Sequence, residues 1–352
     1  MIKRFQSMDK IDMVLSIGAL AILLFFGYGF VKAIVSGTYS ASVYRDFIIF
    51  GVAQGSMYAL IAIGYTLVYG VLFMINFAHG EFFMSGIFTA TVFLASPMAT
   101  SGFLDKYPII SLLLILLMTM LVSILIAVVT ERIAYRPLRK APRLVPLITA
   151  IGMSFFWQYY FRGLFGSEVK PFPEVEFLSG SVSLLGTQVL RTHILVIVTT
   201  IIALIALNFF ILKTRTGKAI RAVAEDKDVA ALMGVDVDRT ISITFATGAA
   251  MAGIAGVLYA LVFRQVHFFM GFIPGIKAFT AAVLGGIGSI PGAAIGGLFL
   301  GIFESVGPVA FEGLGFPAPH QLKDVIAFSM LVLVLIFRPQ GIIGEPLSEK
   351  KA

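Results

Sequence analysis

The stretch Ile75-Asn76-Phe77-Ala78-His79-Gly80-Glu81 sets an amide, an imidazole and a carboxylate side by side between two long apolar runs. Ionisable groups inside a membrane segment are costly and often mark substrate routes. A helix interrupted at such a point presents free backbone groups to a passing solute. The same residues also read as a short turn at the membrane surface, with Asn76 capping the next helix and Glu81 favoured by its dipole. No metal site is expected: the chain has four histidines, and His79 with Glu81 has no second ligand pair at helical spacing.

Two more stretches carry patterned chemistry. Lys213 to Arg239 contains Arg221, Glu225 and Asp226, followed by Leu232-Met233-Gly234. Arg221 and Glu225 stand one helical turn apart, and Gly234 suits a helix stop. A short helix of small residues with a charged ridge can dock into a partner's groove, although a solvated loop that only sets orientation has the same composition. Gly275 to Gly301 holds Lys277, Thr280 and Leu284-Gly285-Gly286-Ile287-Gly288-Ser289-Ile290-Pro291-Gly292. Glycines at this density let backbones approach closely, or let the chain unwind beside a cavity. They do not make a phosphate cradle, because no G-x-x-x-x-G-K-[ST] pattern occurs, and ATP hydrolysis must then reside in another chain. Glu304, in the next segment, is an isolated membrane carboxylate that needs a partner or water. Catalytic residues are not expected. There is no cysteine and no nucleophile motif, and His193 and His267 stand near segment ends.

The elements that must position these residues follow from composition. Of 352 residues, 59% are hydrophobic and 13% charged, and mean hydropathy is +0.97. Soluble domains run near 45–50% apolar and about 25% charged. The chain lacks the charge to cover soluble surfaces and belongs in a bilayer, as a single membrane domain over 1–352. At ~20 apolar residues per crossing, ten segments qualify: 12–35, 47–70, 79–96, 109–130, 146–162, 193–212, 240–262, 278–290, 292–311 and 321–337. Glycine and proline break some of them, most of all 278–290 and 292–311. With both termini cytoplasmic, most of the 26 basic residues fall on the inner side, as the positive-inside rule requires. They include Lys3, Arg4 and Lys10; Arg132, Arg136, Arg139, Lys140 and Arg143; Lys213 to Arg239; and Arg338, Lys350 and Lys351. The net charge of +7 therefore reflects topology and not nucleic acid. The first segment reads as an uncleaved anchor, and the outer stretch 163–191 is long enough for some structure of its own.

Three blocks resemble the integral-membrane permeases of ABC importers for branched-chain amino acids, the LivH-like half. They are Gly55-Ser56-Met57-Tyr58-Ala59-Leu60-Ile61-Ala62-Ile63-Gly64-Tyr65-Thr66-Leu67-Val68-Tyr69-Gly70 continuing through Glu81; Arg221-Ala222-Val223-Ala224-Glu225-Asp226 on to Leu232-Met233-Gly234; and Lys277 to Ala293. Glu131-Arg132-Ile133-Ala134-Tyr135-Arg136-Pro137 and Leu147 to Ser154 add to the likeness, which covers about 50–345. It implies an all-α polytopic inner-membrane permease, without its own ATPase site or cofactor. The partners it implies are a LivM-like permease or a second copy, two ATP-binding cassette subunits that bind ATP and Mg, an extracytoplasmic binding protein, and membrane lipid. It implies that a helix over 218–234, with Arg221, Glu225, Asp226, Leu232 and Gly234, couples to the ATPase. It also favours a substrate path through Asn76, His79, Glu81, Thr280, Gly285, Gly286 and Gly288. Leucine, isoleucine and valine are the first substrates expected, with urea and short amides as the alternative, and a secondary transporter or channel as a more distant one. The helix within 1–45 departs from the family pattern and looks like an extension.

Overall fold

The structure is a computed structural model that describes residues 10–139, 141–142, 144–184, 187–338 and 340–344. The helices, in chain order, are α1 (Lys10–Val35), α2 (Ala41–Leu72), α3 (His79–Ala90), α4 (Ser96–Thr100), α5 (Phe103–Lys106), α6 (Pro108–Thr130), α7 (Leu144–Phe165) and α8 (Arg191–Lys213). Then come α9 (Arg215–Glu225), α10 (Lys227–Leu232), α11 (Val237–Phe263), α12 (Phe272–Gly285), α13 (Ile290–Val306), α14 (Pro308–Gly313) and α15 (Lys323–Phe337). Backbone groups in lipid must bond within their own segment, so long apolar runs become helices.

Among the described residues eight helical stretches are long and apolar enough to cross a membrane: Ala41–Leu72, His79–Thr100, Pro108–Leu138, Leu144–Phe165, Arg191–Lys213, Val237–Phe263, Ile290–Gly313 and Pro319–Phe337. Ten were expected. Within α1 the apolar helix is the shorter Leu20–Val35. In place of a crossing over 278–290 the chain forms α12, whose 14 residues span about 21 Å against a hydrocarbon core of ~30 Å. Gly286 (φ 110°) and Gly288 (φ 98°) end it in a conformation that favours glycine. Ser289 then starts α13, its hydroxyl accepting the Gly292 N–H at 3.2 Å.

The buried core lies along α2, which packs against both α13 and α11, with α3, α6 and α12 around them. Small residues allow this packing, as membrane interfaces prefer: a Cβ on Gly55 would stand 2.8 Å from the Gly297 carbonyl oxygen. Peripheral helices turn large apolar side chains outward, among them Leu121, Leu125, Ile202 and Phe209. At one end, the stretch after α7 forms the hairpin β2 (Ser181–Leu184) with β3 (Thr187–Leu190). There β1 (Lys170–Pro171) also pairs with β4 (Gln265–Val266), beside a Glu174–Arg264 ion pair at 2.9 Å. The opposite end carries the described basic residues from Arg132 to Arg139 and from Lys213 to Arg239. Lys3, Arg4, Lys140, Arg143, Lys350 and Lys351 lie outside the described residues.

The expected single helix over 218–234 is two helices. Asp226 is extended (φ −154°, ψ 117°), and its carboxylate accepts the N–H groups of Asp228 and Val229, both at 2.9 Å. That is an N-cap, which starts α10 afresh and separates it from α9.

Candidate functional site

The site is built from a break in the α2–α3 hairpin. α2 ends with Phe73 in the left-handed region (φ 54°), its N–H bonded to the Tyr69 carbonyl at 2.8 Å. Side chains rarely adopt that conformation, and it persists where surrounding packing enforces it. The chain then turns back into the bundle. The His79 ring presses against Gly64, eight residues before the end of α2 and so about 12 Å up that helix. Gly64 in turn packs on Gly248, well inside α11. A surface turn is therefore ruled out: Asn76, His79 and Glu81 are fully buried, and α3 begins at depth.

Each polar group has a place in that interior. Asn76 does not cap α3, whose cap position is Ala78. Its Oδ1 instead accepts the Tyr135 hydroxyl at 2.6 Å and the Ala78 N–H at 3.2 Å. Glu81 Oε1 accepts Gln158 Nε2 at 2.7 Å and the Ser154 hydroxyl at 3.0 Å, both from α7. His79 lies between the rings of Tyr65 (4.8 Å) and Phe82 (5.7 Å). α12 begins beside α3, where Gly80 abuts Gly271 and Gly275. Farther along α12, Phe279 meets both Tyr65 and Phe77 at 6.0 Å. Buried Thr280 follows it, its hydroxyl bonded to the Ile276 carbonyl at 3.0 Å. Two helices thus start inside the bundle, which is the arrangement that gives a membrane protein polar backbone at depth.

Gly285, Gly286 and Gly288 do not join this cluster. They lie at the far end of α12, about 15 Å from Gly275 by helix rise. There Gly285 crosses Gly292, and the backbone N–H groups of Ile342 and Ile343 donate to the carbonyls of Leu284 and Gly285 at 2.9 Å. These bonds satisfy carbonyls that a helix end leaves free.

Sequence reasoning named Lys277 and Glu304 separately and missed that they pair. Lys277 Nζ lies 2.5 Å from Glu304 Oε1 and 2.6 Å from Asp324 Oδ1, which ties α12 to α13 and α15. The available signal was a lone lysine in an apolar helix, since a membrane cation has to find an anion.

At the basic end α9 is amphipathic. It buries Gly217, Ile220 and Val223 and turns Arg221 and Glu225 outward. α10 ends at Gly234 (φ 83°), leaving Leu232 and Met233 87% and 80% exposed, with Val229 beside them. Lys227 reaches back to the break, its ammonium 5.8 Å from the Phe73 ring. Burial pushes that ammonium below the usual lysine range, and the Arg139 guanidinium adds to the effect.

Eight membrane-length helices among the described residues, around two helix starts inside the bundle, fit a multi-pass helical membrane protein. The family described as branched-chain amino acid transport system / permease component matches residues 47–335, and the chain belongs to it. The high-affinity branched-chain amino acid transport system permease protein BraD of Pseudomonas aeruginosa is 44% identical over 310 residues, covering 87% of this chain and 98% of that one. The LivH permease proteins of the corresponding systems in Escherichia coli and Salmonella typhimurium are each 42% identical over 307 residues, 85% of this chain and 95% of theirs.

Proposed function

We propose that the chain is the membrane-spanning subunit of an ATP-driven importer in the inner membrane and passes branched-chain amino acids. The observation that carries this reading is 42–44% identity, over 85–87% of the chain, to permeases of systems named for those solutes. ATP and Mg belong to two separate cassette ATPases, a binding protein delivers the solute, and a LivM-like permease or a second copy completes the pathway. Urea and short amides are the weaker reading, because the relatives at 42–44% identity are named for branched-chain amino acids.

The geometry supports a route for the stroke. Val229, Leu232 and Met233 form an apolar tip at the basic end, suited to a groove on an ATPase. Force on that tip reaches the break directly, because Lys227 of α10 lies over Phe73. It also reaches the break through Arg139, which pairs with Asp238 at the start of α11 and with Glu131, four residues before Tyr135, the partner of Asn76. Asn76, His79, Glu81 and Thr280 stand on the moving side of that break, and Arg221, Glu225, Asp226, Leu232 and Gly234 on the driving side. The test is uptake of radiolabelled leucine by proteoliposomes holding the complete transporter. ATP-dependent leucine uptake that unlabelled valine suppresses is expected. Uptake of urea with no uptake of leucine overturns the reading.

A further inference from the structure

At the basic end a cleft of about 590 Å³ opens between α6, with the turns that continue it, and the start of α11. Its two ends differ in chemistry. Arg132, Arg136 and Arg239 line the mouth, while Val128, Ile243 and Ala246 form a wall one to two turns farther up their helices, about 6 to 10 Å deeper.

The carboxylates at the mouth are already engaged. Asp236 caps α11 by accepting the Arg239 backbone N–H at 2.9 Å. Asp238 pairs with Arg139 and, at 3.8 Å, with Arg136. Fully buried Glu131 takes Arg136 at 3.3 Å, Arg139, and the Ser242 hydroxyl at 2.7 Å. The exposed side chains of Arg132 and Arg239 make no ion pair among the described residues, so two guanidinium groups at the mouth lack an anion. The apolar wall continues along the same face of α6 into Leu125, Leu121 and Leu117, all exposed. On a membrane helix such a stripe lies against acyl chains.

We propose that this cleft binds an anionic phospholipid, with Arg132 and Arg239 on the phosphate and one acyl chain along the Val128–Ile243 wall. Guanidinium forks match phosphate oxygens two at a time. Basic pockets between membrane helices at the cytoplasmic side suit anionic headgroups. A soluble phosphate uses the arginines and leaves the wall idle; the wall is what selects a lipid. Because both helices that frame the cleft also carry the Glu131–Arg139–Asp238 network, the lipid would brace the joint between α6 and α11.

The test uses the complete transporter, delipidated in mild detergent, and native mass spectrometry of what it retains. Dioleoyl phosphatidylglycerol is the probe, with dioleoyl phosphatidylcholine and inorganic phosphate as separate arms. Retention of phosphatidylglycerol above phosphatidylcholine is expected, with no competition from millimolar phosphate. At ~1 kcal/mol per arginine near the surface, the Arg132→Gln/Arg239→Gln variant should bind about thirty-fold more weakly, and Arg132→Lys/Arg239→Lys should keep most of the preference. Equal retention of both lipids overturns the proposal, as does unchanged affinity in the glutamine variant. Displacement by phosphate alone assigns the arginines to a soluble anion and overturns it too. Separation of the permease from its partner in the glutamine variant, with lipid retention unchanged, assigns them to a protein contact and does the same.

Discussion

Removing one member at a time from the Lys277–Glu304–Asp324 cluster should give three unequal losses. The side chains of Lys277 and Glu304 are 4% and 1% exposed, whereas Asp324 is 45% exposed. Breaking a buried pair by deleting one partner costs about 3–5 kcal/mol, because the other charge stays buried and uncompensated. A pair open to water is worth ~0–1 kcal/mol. Lys277→Met leaves two carboxylates facing one another with no cation and falls near the upper figure, about 5 kcal/mol. Glu304→Gln leaves Lys277 with Asp324 at 2.6 Å and falls near about 3 kcal/mol. Asp324→Asn stays at ~1 kcal/mol or below. The double variant Lys277→Met/Glu304→Gln removes both buried charges and leaves only the water-accessible carboxylate. It should therefore be more stable than Lys277→Met alone, with a coupling of about 2 kcal/mol or more. The assay is the unfolding midpoint of the purified transporter in one detergent, with membrane yield as a second readout. Equal losses for Lys277→Met and Asp324→Asn, or a double variant equal to the sum of its singles, would refute the reasoning.

The remaining expectations concern other parts of the molecule. Gly285→Ala drives a Cβ into the Gly292 carbonyl and should cost ~1–3 kcal/mol or prevent assembly. Gly288→Ala meets open space and should cost about 1 kcal/mol from its backbone alone; size-exclusion profiles of the two variants compare them. Leu232→Asp and Glu225→Lys should each abolish leucine uptake with expression and membrane insertion unchanged, and normal uptake in both would remove α9 and α10 from coupling. The Arg264 hydrogen bond, with that of Ser179, holds Glu174 below the usual carboxylate range. A depressed folded value stabilises above the unfolded value and is lost as pH falls through the folded one. The protection factor at Phe172, whose N–H bonds the Arg264 carbonyl at 3.0 Å, should therefore fall below about pH 4.5 once the observed exchange is referred to the intrinsic rate at each pH, and Arg264→Gln should flatten that dependence.

What the sequence could reveal depended on the range of the force involved. Apolar runs and basic loops are local signals, so the membrane helices and the basic end were legible from hydropathy and charge. Gly234 was legible for the same reason: a glycine after a short helix of small residues marks a stop, and it does take φ 83°. Asp226 was misread because its capping role competes with helix continuation within one turn, and composition alone favours the longer helix. The depth of the break at Phe73 to His79 was illegible. The positive-inside rule sorts loops by charge, and the turn from Phe73 to Ala78 carries none, so a turn that re-enters the bundle and one that stays at its surface give the same signal.

The Lys277–Glu304 pair failed for a different reason. Its members stand 27 positions apart on two helices, and only the crossing of α12 and α13 brings them together. The pattern that announced the crossing, glycines at 285, 292 and 296, left close packing and unwinding beside a cavity equally open; it packs two helices closely enough for one to neutralise the other's charge. Close approach at the glycines and charge pairing at Lys277 are thus two parts of one joint.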